Sequence, residues 1–144
     1  LGPLDILLCH GSPRRVNEFL WESTTSTSFL NHYVRGLNVD LVAATHTGLK
    51  WRRRLDDNRQ FVNVGVLGRP ENDGKTNVWY TIIEYDDKQG LQTRFVPIKY
   101  DHERLANEMQ SEGLPGEFVQ TIRSGWWTTC LEILPSKERR SGRQ

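Results

Sequence analysis

Of the four histidines in this 144-residue chain, His10 and His46 stand in matching surroundings. His10 follows the apolar run Leu4-Asp5-Ile6-Leu7-Leu8-Cys9, and His46 follows Val39-Asp40-Leu41-Val42-Ala43-Ala44 and Thr45. Both runs have the length and content of strands buried on both faces. A helix between them would complete a βαβ unit. Such crossovers are right-handed in ~98% of cases, which lays the strands parallel, as neighbours or near neighbours. Parallel strands end on one edge of their sheet, the edge where open α/β sheets bind ligands. Neighbouring strands lie ~4.8 Å apart, so two imidazoles there can reach one metal ion at ~2.0–2.2 Å per bond. The same positions also suit two histidines that cap their strand ends through local hydrogen bonds. The residues alone leave both readings open.

Other residues bear on the same chemistry. Arg14 and Arg15 follow the His10-Gly11-Ser12-Pro13 turn, where a guanidinium could hold a phosphate or carboxylate through paired N–H bonds. Arg52-Arg53-Arg54 resembles a basic patch. Strand alternation sends Arg53 to the face opposite its neighbours, however, so the run reads as surface charge. Trp126-Trp127 could stack a base, but with Thr128, Thr129 and Cys130 it reads better as core or a docking edge. His32 falls inside a helix and His102 at a helix start, so both read as structural.

The elements that would position these residues follow from the pattern. Ser26 to Leu37 reads as a helix, with Phe29, Tyr33, Val34 and Leu37 on one face and Gly36 and Asn38 where it stops. After Thr47-Gly48 the period changes. Strands over 50–55 and 60–64 flank the turn-forming Asp56-Asp57-Asn58-Arg59, and 77–85 and 91–99 form a hairpin. Helices over 101–112, with Asp101 as N-cap, and 117–124 follow, and a charged tail from Pro135 is expected to fray.

Composition bounds the function. With 19 basic and 18 acidic residues the net charge is +1, too little to hold a nucleic-acid scaffold or an anionic membrane by its global field. No apolar run approaches the ~20 residues that span a bilayer. The two cysteines, Cys9 and Cys130, have unlike flanks and form no CxxC pair, which predicts neither a disulfide framework nor a thiolate zinc site. Cytoplasm is the expected compartment.

The segments Cys9-His10-Gly11-Ser12-Pro13-Arg14, Ala44-Thr45-His46-Thr47-Gly48 before Trp51, and Phe61-Val62-Asn63-Val64-Gly65-Val66-Leu67-Gly68-Arg69-Pro70 occur in that order. Together they resemble the second half of the calcineurin-like metallophosphoesterases. The last resembles that family's Asn-Pro-Gly-Ser-Val-Gly-x-Pro loop, and the likeness runs from about residue 4 to about residue 100. It implies an α/β (α+β) fold, the C-terminal part of a four-layer αββα sandwich around a two-metal site. It makes His10 the ligand of the family's His-Gly segment and His46 the first histidine of its Gly-His-x-His segment, both on the second metal. Arg14 would contact the substrate phosphate, with Arg15 and Arg69 behind it. Two positions depart from the pattern: Thr45 stands where the family has Gly, and Gly48 where it has its second His.

The family's Asp-x-His, Gly-Asp and Gly-Asn-His segments do not occur in the chain. With a start at Leu1 inside a strand-like segment, this leads to the expectation that residues 1–125 are the C-terminal part of a metallophosphoesterase domain and 126–144 an extension or tail. The N-terminal half would be the missing partner and would supply the catalytic residues. The implied function is hydrolysis of a phosphate-ester substrate with two divalent ions, of Mn, Fe, Zn or Ni. The alternative is a non-catalytic binding module that keeps the fold.

Overall fold

The computed structural model describes residues 1–140. The chain divides into two compact units: Leu1–Val66 with Tyr80–Val96, and Leu67–Trp79 with the chain from Pro97 onward.

The first unit is built on a four-stranded sheet of β1 (Ile6–Cys9), β2 (Leu41–Ala44), β3 (Lys50–Arg54) and β4 (Gln60–Val64), in the order β1-β2-β4-β3. β1, β2 and β4 are parallel, and β3 runs antiparallel to β4. The crossover between β1 and β2 carries α1 (Thr27–Val34), as the βαβ reading requires. Ser26 caps that helix, its Oγ accepting from the Phe29 N–H at 3.1 Å. The buried stripe of α1 is Leu30 and Val34, four residues apart, each contributing about 1.5–3 kcal/mol of burial. The stripe expected from the sequence missed Leu30 and gave too large a share to Tyr33, whose hydroxyl is drawn to polar partners.

Leu30 and Val34 meet Val42, Ala44, Trp51 and Phe61 on one face of the sheet. On the other face Leu41, Ala43 and Val62 pack against Ile83, Leu91 and Phe95 of a hairpin, β5 (Val78–Asp86) and β6 (Gly90–Ile98). The turn between β3 and β4 places Asp57 and Asn58 at positive φ, 57° and 60°, a conformation that short polar side chains tolerate.

β2 is a strand buried on both faces, all four residues included. β1 is not, although its apolar run reads that way. It is an edge strand, and Leu8 is 74% exposed. Alternation turns Leu7 and Cys9 toward the α1 side, and Leu8 faces the other way.

In the second unit α2 (His102–Ser111) packs on α3 (Gly116–Ser124) through Ala106, Val119 and Ile122. Asp101 caps α2 as expected, accepting from the Arg104 N–H at 3.0 Å. The described part of the 126–144 stretch carries Trp127 and Leu134, 1% and 2% exposed. It ends in α4 (Ser136–Arg140), so the tail is helical from Ser136 where fraying from Pro135 is expected, with Glu138 buried; its last four residues lie outside the described residues. The Trp127 indole donates to the Pro70 carbonyl at 2.7 Å, which makes it core rather than a stacking platform. No helix among the described residues is long and apolar enough to cross a membrane.

Candidate metal centre

The register pairs Cys9 with Ala44 at the ends of β1 and β2. The chain then leaves both strands on the same edge. His10 follows at once; His46 follows after Thr45, with φ at 83°. A histidine in this left-handed region stores strain that the surroundings must overcome. They do so through Asn63, a wholly buried residue near the end of β4. Its amide donates to the Thr45 carbonyl at 3.3 Å, and its Oδ1 accepts the Gly65 N–H at 3.2 Å. The Thr45 hydroxyl donates to the Gly65 carbonyl at 2.8 Å. These bonds tie the ends of β2 and β4 together and fix the turn that carries His46.

The result is contact between the two rings. His10 Nε2 lies 2.9 Å from His46 Nδ1, with ring centroids 4.7 Å apart and planes at 68°. Phe19 leans on the second of these rings, 4.3 Å from the His46 centroid, and is itself stacked on Trp21. Burial, and secondarily the positive charge of a protonated His10, push the His46 pKa down. Both causes favour neutral imidazole, the form that binds metal. His46 Nε2 is buried and has no hydrogen-bond partner among the described residues.

This pair fits a divalent metal in its spacing. The 2.9 Å between the facing nitrogens is the span of two bonds of ~2.0–2.1 Å meeting near a right angle. The outer partner that orients the second ring nitrogen of a metal-bound histidine is not found for His46 Nε2 among the described residues. Among the described residues no group of three or more His, Cys, Asp and Glu could hold a metal, so these residues offer two ligands toward a set.

The loop after His10 is pinned by residues the sequence reading did not single out. Gly11 has φ 73°, and a Cβ there would lie 2.5 Å from the Arg15 carbonyl oxygen, so only glycine fits. Glu18 is the hub of the loop. It accepts from the Ser12 hydroxyl at 2.5 Å and the Tyr33 hydroxyl at 2.7 Å, and it pairs with Arg14. The Arg14 hydrogen bond first, then those from Ser12 and Tyr33, overcome burial and lower the Glu18 pKa from 4.5 to about 2. The signal was present in the sequence as Arg14 and Glu18 four residues apart, but outside a helix that spacing carries no rule.

The remaining expected site residues are distributed as follows. Arg14 is held by Glu18 and lies 5.3 Å over the Tyr33 ring. Arg15 is exposed, and its side chain makes no hydrogen bond or ion pair among the described residues. Arg69 belongs to the second unit. Its guanidinium lies 3.6 Å from the Trp127 ring centroid and donates to the Thr129 carbonyl at 3.0 Å, and burial lowers its pKa. His32 is exposed on α1, and His102 opens α2 beside Glu103 at 3.7 Å, as the sequence placed them.

No protein-family model and no curated protein matches the chain at a significant level. Solved structures do. A metallophosphoesterase from Sphaerobacter thermophilus superposes with a TM-score of 0.65 at 19% identity, over 84% of this chain and 55% of that one. A hypothetical protein, PH1004, from Pyrococcus horikoshii OT3 superposes with a TM-score of 0.69 at 18% identity, over 86% of this chain and 48% of that one. The fold is therefore the mixed α/β fold of metallophosphoesterases, and the chain spans about half the length of these two structures.

Proposed function

We propose that His10 and His46 are two ligands of one divalent cation in a phosphoester hydrolase with a two-metal site. The observation that carries this reading is the 2.9 Å approach of their ring nitrogens at the C-terminal ends of two parallel strands, on a fold shared with a metallophosphoesterase. When bound there, divalent ions supply activation of water and neutralisation of charge on the phosphate; Mn, Fe, Zn and Ni all suit imidazole. The protein's own part is positional. Asn63 and Thr45 hold the His46 turn, the Glu18 cluster holds the His10 loop, and Phe19 shields the His46 ring from water. Arg15, with no side-chain partner among the described residues, is the arginine best able to meet a substrate phosphate. Arg14 steadies the loop beside it, and Arg69 is engaged elsewhere. In this reading the bridging carboxylate and the catalytic histidine come from an N-terminal half of the domain, and the cytoplasm is the compartment of the assembled enzyme.

A binding module that keeps the fold without the chemistry has one observation in its favour: Gly48 stands where the resemblance calls for a further histidine. The comparison that separates the two uses the complete protein. Metal content and hydrolysis of an aryl phosphate and an aryl diester are measured for wild type, His10→Ala and His46→Ala, with His32→Ala and His102→Ala as controls. Loss of both metal and turnover in the first pair alone supports the proposal. Metal content and rate that survive both substitutions refute it. For the 144-residue chain alone we expect weak metal binding and negligible hydrolysis.

A further inference from the structure

The sheet has a second edge. Gln60 pairs with Leu41 and Leu41 with Ile6, so Gln60 marks the N-terminal ends of the parallel strands, opposite the two histidines. β3 runs the other way and brings Arg54 beside Gln60 and Arg52 beside Val62. Alternation then puts Arg52 and Arg54 on the hairpin face. Arg53 points to the other face, where its guanidinium donates to the Glu22 and Thr25 carbonyls.

On the hairpin face a cavity of about 280 Å³ opens between β3, Gln60 and the start of β6. Arg52, Arg53, Arg54, Gln60, Leu91, Gln92 and Thr93 line it, the Arg53 guanidinium being engaged on the other face, and the lining contains no carboxylate. Arg52 is set in place by a hydrogen bond to the Thr93 carbonyl. Gln60 is fixed by its amide donating to the Leu91 carbonyl at 3.2 Å. The Arg54 side chain makes no hydrogen bond or ion pair among the described residues. Two guanidiniums therefore line a polar cavity with no anion from its walls to balance them.

We propose that this cavity is an anion site for a small phosphate ligand, bound between Arg52 and Arg54 and separate from the histidine pair. Guanidinium forks match the oxygens of a phosphate in paired hydrogen bonds. Arg52 keeps N–H groups beyond the one spent on Thr93, and Arg54 keeps its full set.

The test is calorimetric or NMR titration of chelator-treated, metal-free protein with inorganic phosphate and with pyrophosphate at constant ionic strength. Arg54→Gln is the decisive variant, because the Arg54 side chain has no partner among the described residues to lose. It should weaken phosphate binding at least tenfold, and Arg52→Gln with Arg54→Gln should abolish it. Arg94→Gln, an exposed residue on β6 paired loosely with Glu84 at 3.9 Å, should bind as wild type does, and so should His10→Ala. Circular dichroism checks that each variant is folded. The proposal is overturned if wild type binds neither anion, if Arg54→Gln binds as tightly as wild type, if Arg94→Gln weakens binding as much as Arg54→Gln, or if His10→Ala removes the binding.

Discussion

Replacing Glu18 with glutamine should loosen the loop that carries His10, and the structure gives the size of the effect. In the native protein the carboxylate accepts from Ser12, Tyr33 and Arg14. A glutamine side chain would keep the shape but turn an amide N–H₂ toward one of those donors. The lowering of the Glu18 pKa from 4.5 to about 2 corresponds to about 3 kcal/mol of preference for the charged form. The Arg14 side chain is 55% exposed, so water screens the pair, and we discount the expected loss to about 1–2 kcal/mol. The sign follows from the direction of the shift. The folded-state pKa is depressed, so the stabilisation is complete above the ordinary value of 4.5 and drains away as pH falls toward about 2. Urea unfolding followed by tryptophan fluorescence should show Glu18→Gln less stable than wild type at pH 7, with the two curves converging by about pH 2. Tyr33→Phe removes one donor and should cost about 1 kcal/mol. Equal stability at pH 7, or a deficit of the same size at both pH values, would refute the argument that the charge of Glu18 organises this loop.

Two further outcomes are expected. Gly11→Ala should destabilise the protein by roughly 2 kcal/mol or more, because a Cβ at φ 73° meets the Arg15 and Val16 carbonyl oxygens; urea midpoints measure the loss, and wild-type stability would refute it. His46 has a lowered pKa in the folded state. The unfolded chain therefore takes up the proton first, and this stabilisation, complete above the ordinary value of 6.5, is lost as pH falls below it. His46→Asn should flatten the pH dependence of stability just below 6.5, and an unchanged slope would remove His46 as its source.

The sequence by itself determined the order and kind of the elements as far as α3, because local signals write them. Alternation and turn residues placed β4 at Gln60–Val64, and Asp101 announced the start of α2. It also determined that His10 and His46 share a sheet edge, since a βαβ crossover of this length leaves little freedom of topology. What it could not give is anything that depends on which side chains meet across the fold. The exposure of Leu8 follows from the edge position of β1, and strand order is not written in any one strand. Asn63 looked like part of a loop motif, yet it braces two strand ends. Arg14 looked free for a ligand until Glu18, Ser12 and Tyr33 closed around it. Arg52 and Arg54 looked like surface charge, because only the docking of β6 turns that surface into a cavity. Local propensity is a short-range property of the backbone. The partner of a long polar side chain is decided by tertiary packing, which brings distant residues within about 3 Å without leaving a period in the sequence.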